Sequence, residues 1–202
     1  MCGGKGSRLQ EFAKIEKPLL KLNGKTMVEL VLDALLQSEE FYKIVAITSR
    51  NTPITRSYIA TNLSRKVDVI ETAGITYPCD ISVVLNIFRP YTVFVVGCDL
   101  PLLGLRDVKK IVSQHRPEHA CTSVVSDKRF VTSMGINPSV IVRINSRQYC
   151  HTGISIFDSS KICDTGQIDE HYVVINQKGV AVNVNTRSDF ETAQKLMSSY
   201  GP

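Results

Sequence analysis

The residues best equipped for chemistry stand near the start of the chain: Gly3, Gly4, Lys5, Gly6, Ser7 and Arg8, then Glu16-Lys17-Pro18-Leu19-Leu20. Glycines 3, 4 and 6 carry no side chain, so consecutive backbone N–H groups can approach and cradle phosphate oxygens. Lys5 and Arg8 add charge-assisted bonds to the same anion. Lys17, one short loop later, can reach back as a point charge on a phosphate under attack. Residues 1–25 hold six bases against two acids, most of the excess in a chain of net charge +5. Such a local positive field suits a polyanionic small molecule, although a plain solvated basic surface would look the same. No Arg/Lys stripe interleaved with aromatics follows, which disfavours nucleic acid as a partner.

Familiar phosphate loops do not account for the segment. A Walker A loop ending at Gly24-Lys25-Thr26 needs glycine at position 19, which is leucine. A dinucleotide fingerprint starting at Gly4 needs a small residue at Leu9 and a strand before it. A protein-kinase loop needs strand and catalytic-loop signals that the chain lacks.

A second candidate is Asp99, which follows the apolar run Val93-Phe94-Val95-Val96-Gly97. A carboxylate there sits at the C-terminal edge of a central strand, where open α/β sheets bind ligands. As a hard oxygen donor it suits Mg²⁺ held between protein and triphosphate; with Pro101 close by, a turn or helix-cap role competes. Cys98 has no His/Asp partner spacing and reads as a buried small hydrophobe rather than a nucleophile. His115 lies on an apolar helix stripe and reads as a core or rim residue. His151 is a weaker candidate for meeting a phosphate, and His119 and His171 carry no signal.

Short β-branched runs at 43–48, 67–71, 92–96, 153–157 and 180–184 read as buried strands. Between the early ones lie helical patterns. Met27, Leu30, Val31, Ala34 and Leu35 form one apolar face, with Lys25-Thr26 opening that helix, and Val108, Ile111, Val112 and His115 repeat the spacing. Another helix opens at Asn51/Thr52 with Pro53 in its first turn. The last starts near Arg187, capped by Thr186 or Ser188. Alternating elements predict a single α/β domain over residues 1–202, Rossmann-like, with a mostly parallel sheet and helices on both faces. From about 121 to 176 the alternation loosens toward strand, which reads as an excursion closing over an acceptor.

The totals agree with an ordinary globular domain: 43% hydrophobic and 21% charged residues in 202. No apolar run nears the ~18 residues of a membrane span, and the N-terminus lacks a signal-peptide core. Six scattered cysteines without C-x-x-C spacing point to reduced thiols and a cytoplasmic location. The oligomeric state is open, a homodimer being one option.

The combined pattern G-G-x-G-[ST]-R…E-K-P-L resembles the MobA-like nucleotidyltransferase superfamily. Within it the chain is most similar to the archaeal CobY type of GTP:adenosylcobinamide-phosphate guanylyltransferases. The likeness continues through Ser49-Arg50-Asn51-Thr52-Pro53, Glu71-Thr72-Ala73-Gly74, Cys98-Asp99-Leu100-Pro101, Thr152-Gly153-Ile154-Ser155-Ile156 and Asn183-Val184-Asn185-Thr186. The resemblance implies GTP and adenosylcobinamide phosphate as substrates, with Mg²⁺ as cofactor. It puts the triphosphate on residues 3–8 and Lys17, with Lys17, Arg8 and Asp99 as the catalytic groups. Base and ribose fall to Ser49, Asn51, Thr52, Thr72 and Gly74, and the acceptor to Thr152 and Gly153. Asp99 holds the metal; Asn185 is either a second metal contact or a cap for the last helix. A molybdenum-cofactor guanylyltransferase, a sugar-1-phosphate nucleotidyltransferase and a non-catalytic nucleotide sensor are the competing readings. In this superfamily a buried strand precedes the glycine loop, whereas here only Met1 and Cys2 do. The first strand is therefore expected to be truncated, with a few apolar residues belonging upstream of Met1.

Overall fold

A computed structural model describes residues 1–4, 15–162 and 168–198. Lys17–Leu19 forms a 3-10 turn with Pro18 in its first positions, where a missing N–H is harmless. It leads into a hairpin, β1 (Lys21–Leu22) and β2 (Lys25–Thr26), closed by Asn23 and Gly24 at φ of 47° and 83°. Two left-handed residues make the type I′ turn that Asn-Gly favours. Thr26 then caps α1 (Met27–Ser38): Glu29 N donates to Thr26 Oγ1, and Thr26 N donates to Glu29 Oε2 at 2.7 Å. This capping box fixes where the helix begins.

The expected alternation follows: β3 (Val45–Ser49), α2 (Pro53–Asn62), β4 (Asp68–Thr72), α3 (Tyr77–Ile87), β5 (Thr92–Val95) and α4 (Leu105–Ser113). β3 and β4 run parallel, with Val45 opposite Asp68 and Ser49 opposite Thr72. Beyond them come β6 (Cys121–Asp127), α5 (Lys128–Ser133), β7 (Ile141–Ile144), β8 (Arg147–Asp158), β9 (Glu170–Val174), α6 (Lys178–Ala181) and α7 (Arg187–Ser198).

The sheet is mixed: within the mostly parallel array expected, one long strand, β8, is reversed. β8 is antiparallel to β5, β6 and β7, while β6 and β9 are parallel. The cause is local. Asn145 and Ser146, both at positive φ, fold β7 onto β8 as a hairpin. The returning strand therefore runs against its neighbours. One correction concerns 180–184, read as a strand. Residues 178–181 form a helical turn, and Val182 and Val184 continue as a buried connection. An apolar run announces burial without choosing the backbone state.

Met1 and Cys2 hold the central position. Met1 N donates to Val96 O and Cys98 N to Met1 O, while Cys2 N donates to Ile47 O on the other side. Two residues thus join the β3–β4 pair to β5, and the Phe41 and Phe94 rings meet with centroids 5.0 Å apart. Helices cover both faces, as expected. Ile154 and Ile156 of β8 pack in one cluster with Val31 of α1 and Val108 and Ile111 of α4. Phe157, one residue out of phase, packs with Ile81 and Leu85 of α3. Among the described residues, no helix is long and apolar enough to cross a membrane.

Candidate functional site

Lys17 is set in place from both sides. Pro18, Leu19 and Leu20 lead away from it, the two leucines buried in the core. On the other side Glu16, itself buried, turns its carboxylate to the start of α2, where it accepts from Ile54 N at 2.9 Å and Thr55 N at 2.7 Å. Thr52, at the N-cap position, makes no side-chain cap bond of its own. Glu16 therefore supplies from a distance the acceptor that the exposed amides and the helix dipole call for. With its backbone so held, Lys17 extends its ammonium to Asp99 Oδ2 at 2.8 Å and Asn185 Oδ1 at 3.0 Å.

Those two oxygens come from distant chain segments, each locally fixed. Asp99 follows β5, and a β-carbon at Gly97 would lie 2.4 Å from its Oδ1, so the carboxylate folds back over a position that only glycine leaves open. Asp99 O accepts from Val184 N at 2.8 Å, which brings the segment before α7 alongside. That helix is capped by Thr186 and Asp189: Asp189 N donates to Thr186 Oγ1, and Thr186 N donates to Asp189 Oδ2 at 2.8 Å. The cap thus falls to Thr186, and the Asn185 side chain faces Lys17, oriented by its Nδ2 bond to Asn183 Oδ1 at 2.8 Å.

Lys17, Asp99 and Asn185 line a cleft of about 540 Å³ together with Gly3, Gly4, Asn51 and Gly74, a size that suits a nucleotide-scale ligand. Seven of the residues singled out from sequence therefore meet in one place. Lys5, Gly6, Ser7 and Arg8 lie outside the described residues. Ser49, Thr52 and Thr72 are buried behind the wall rather than in it. Ser49 Oγ donates to Gly3 O at 2.7 Å, Thr52 Oγ1 accepts from Ser49 N, and Thr72 Oγ1 donates to Thr48 O. They brace the loops. Asn51 links two of these loops, donating from Nδ2 to Gly74 O at 3.1 Å. Thr152 lines a smaller neighbouring cavity with His151, Asn183 and Asn185, and Ser139 and Asn185 border both spaces. Gly153, at φ 81°, stands beside Asn183. The remaining histidines are placed by local bonds: His115 Nδ1 meets Thr122 Oγ1, and His119 stacks on His171 while contacting Asp169.

The donor set fits a hard cation. An ammonium already sits between a carboxylate oxygen and an amide oxygen, the two kinds of protein ligand that magnesium accepts while taking the rest from phosphate and water. Among the described residues, no group of three or more His, Cys, Asp or Glu side chains converges as a metal cage. A cation here would depend on its substrate for most ligands. Cys98 is unsuited to attack. It shares a hydrogen bond with Cys2 that pulls Cys2 down to about 7 and, with burial, pushes the Cys98 thiol well up, which keeps Cys98 protonated.

Residues 1–178 match the MobA-like NTP transferase domain. The chain belongs to this family. It is a nucleotidyltransferase. As a MobA-like protein it is 29% identical over 204 residues to the adenosylcobinamide-phosphate guanylyltransferase of Methanocaldococcus jannaschii, covering 100% of this chain and 97% of that one. Among solved structures it is similar to a hypothetical transferase from Thermus thermophilus (TM-score 0.70, 16% identity, 94% of this chain and 96% of that one). The inositol-1-phosphate CTP transferase of T. maritima is another (TM-score 0.67, 13% identity, 98% and 92%). At such identities the two structures speak for the fold.

The MobA-like cleft also contains residues that sequence reasoning passed over. Glu16 was seen only as part of a motif, yet it anchors Lys17. Tyr77 and Asp80 of α3 enter the cleft wall. The Tyr77 hydroxyl is pushed up to about 12, chiefly by desolvation and then by the Asp99 and Cys121 charges, so it stays a donor. The signal for α3 was Thr76 as cap, its Oγ1 accepting from Cys79 N, with Pro78 in the first turn.

Proposed function

We propose that the protein transfers GMP from GTP to adenosylcobinamide phosphate, releasing pyrophosphate. The observation that carries transfer to a phosphorylated acceptor is the Lys17 ammonium held by Asp99 and Asn185 beside the glycine turn. Full-length similarity to the Methanocaldococcus jannaschii enzyme supports the acceptor.

In this reading the triphosphate lies over Gly3 and Gly4, with Lys5, Gly6, Ser7 and Arg8 as its further partners. The base reaches toward Asn51 and residues 72–74, where Ser49, Thr52 and Thr72 hold the loops. The acceptor's phosphate oxygen forms a bond to the α-phosphorus in line as the bond to the β-phosphate bridging oxygen breaks, and pyrophosphate departs with that electron pair. An anionic phosphate needs little help from a base, so positioning and charge neutralisation carry the rate. Lys17 leaves Asp99 and turns to the α-phosphate, where it offsets the negative charge that builds as the fifth oxygen approaches. Asp99 and Asn185 are then the groups that would hold Mg²⁺. When bound, that ion neutralises phosphate charge and fixes the triphosphate's geometry. Thr152 and Gly153 border the side from which the acceptor enters, and the enzyme works on free nucleotide in the cytoplasm.

The test is pyrophosphate release with each of four nucleoside triphosphates, against cobinamide phosphate and a set of sugar phosphates, with the product weighed by mass spectrometry. GTP with cobinamide phosphate is expected to give the GDP-linked product. Release only with a sugar phosphate would replace the acceptor, and no release with any pair would remove the activity.

A further inference from the structure

We infer that the Asp80 carboxylate reads the edge of the base and selects guanine, a step that rests on the proposed nucleotidyl transfer and specifies its donor. Asp80 is only 7% exposed, yet it lines the cleft. Its Oδ1 accepts from Gly74 N at 3.1 Å. Its Oδ2 has no protein partner among the described residues, and no cation there pairs with it. That oxygen is not among the enclosed unpaired side-chain atoms; it reaches the cleft, where a ligand's donor can replace the water it otherwise meets. The open oxygen belongs to a side chain of the cleft wall, so the donor it awaits is a ligand's.

The ligand's chemistry follows from what a carboxylate can do. Ionised, it only accepts, and it takes two parallel N–H bonds well. Guanine offers N1–H and the N2 amino group side by side. Adenine and cytosine each put a ring acceptor next to their amino group, and uracil has one N–H between two carbonyls. Guanine alone presents two adjacent donors. Each carboxylate oxygen has two lone pairs, so the bond from Gly74 leaves Oδ1 able to accept from the base as well.

The surroundings hold this carboxylate ready. Gly74 sits at φ 67°, and a β-carbon there would approach Asn51 Nδ2 to 2.6 Å. The loop is therefore closed onto Asn51, which in turn bonds Gly74 O. Gly74 N then fixes Asp80 before any ligand binds, which lowers the ordering cost of recognition. Beside it Tyr77 and Ile75 are 52% and 75% exposed, large apolar surfaces in the cleft wall against which a flat base can stack.

The experiment is calorimetric binding of GTP, ITP, XTP and ATP to the full chain, wild type and D80N, without acceptor. ITP lacks only the N2 amino group. Wild type should bind GTP roughly tenfold more tightly than ITP and roughly a hundredfold more tightly than ATP, the scale of one and two bonds to a charged group. In D80N the amide can still accept from Gly74 and from N1–H, but its other end donates, which matches the C2 carbonyl of xanthine. D80N should therefore lose GTP affinity by roughly ten- to a hundredfold and come to prefer XTP. A preference gained cannot come from a damaged fold. Equal binding of GTP, ITP and ATP by wild type, or an unchanged preference for GTP over XTP in D80N, overturns the inference. Transfer of AMP as fast as GMP overturns it while leaving nucleotidyl transfer intact, whereas a wild type that binds no triphosphate overturns both.

Discussion

Glu16 to alanine is the perturbation whose cost can be worked most directly. The carboxylate is 8% exposed and accepts two backbone N–H groups, at 2.9 and 2.7 Å, at the start of α2. Truncation leaves both amides facing a buried space and removes a negative charge from the positive end of a helix dipole. Bonds to a charged group contribute about 1.5–3 kcal/mol each. Water entering the gap recovers part of this, and lost caps elsewhere cost about 0.5–2 kcal/mol. A loss of roughly 2–4 kcal/mol is expected, which in a chain of this length lowers the melting midpoint by roughly 5–15 °C. Glu16→Gln keeps one acceptor oxygen without the charge and should lose about half as much. Because Lys17 is the next residue, both variants should also slow pyrophosphate release below their melting range. Thermal unfolding followed by circular dichroism, with rates at 20 °C, reads both effects. An alanine variant melting within 1–2 °C of wild type would mean that these two bonds do not hold the segment.

Three further outcomes are expected. Gly97→Ala puts a β-carbon where Asp99 Oδ1 lies; turnover should fall by roughly tenfold or more with little change in melting, because the carboxylate is displaced rather than the core, and an unaltered rate would contradict this. His151 is held below its usual range by burial, against a smaller opposing pull from Glu170, and its Nδ1 accepts from Gly153 N. The unfolded chain therefore binds more protons than the folded one as pH falls through the ordinary histidine range, so stability in urea should drop between pH 7.5 and 5.5. His115 shifts in the same direction, so His151→Asn should flatten the dependence without abolishing it; an unchanged slope would tell against it. Leu22→Ala removes a fully buried side chain from the cluster it shares with Met27 and Val184 and should cost about 2–5 kcal/mol in urea unfolding, a loss under 1 kcal/mol being incompatible with that packing.

Local signals made much of this legible in sequence. Lys25-Thr26 announce the opening of a helix, Pro53 a first turn, and the run ending at Gly97 a strand that delivers Asp99 to its edge. Periodicity could not reveal direction. The reversal at Asn145 and Ser146 requires two non-glycine residues at positive φ, which composition does not advertise, so β8 was not seen to run against its neighbours. The buried run at 180–184 looked like a strand because burial on all sides looks alike in a helical turn, a strand or a connection. The site divides in the same way. Lys17 stood out by its place after the glycine loop, Asp99 by its strand end and Asn185 through the family resemblance, and they meet. Ser49, Thr52 and Thr72 were implied by the same resemblance, yet their hydroxyls are spent on backbone groups of neighbouring loops. A hydroxyl's partner is a property of the tertiary structure. Asp80 was invisible for the converse reason: a carboxylate in the first turn of a helix looks like a response to the dipole until its open oxygen is found in the cleft wall.

The proposed chemistry requires Lys17 and Asp99 to act together on a triphosphate. Steady-state pyrophosphate release by Lys17→Ala and Asp99→Ala, with GTP and cobinamide phosphate, is the decisive assay. Both are predicted to fall roughly a hundred- to a thousandfold or more while their melting curves stay near wild type. Near-normal rates in both variants would contradict the claim.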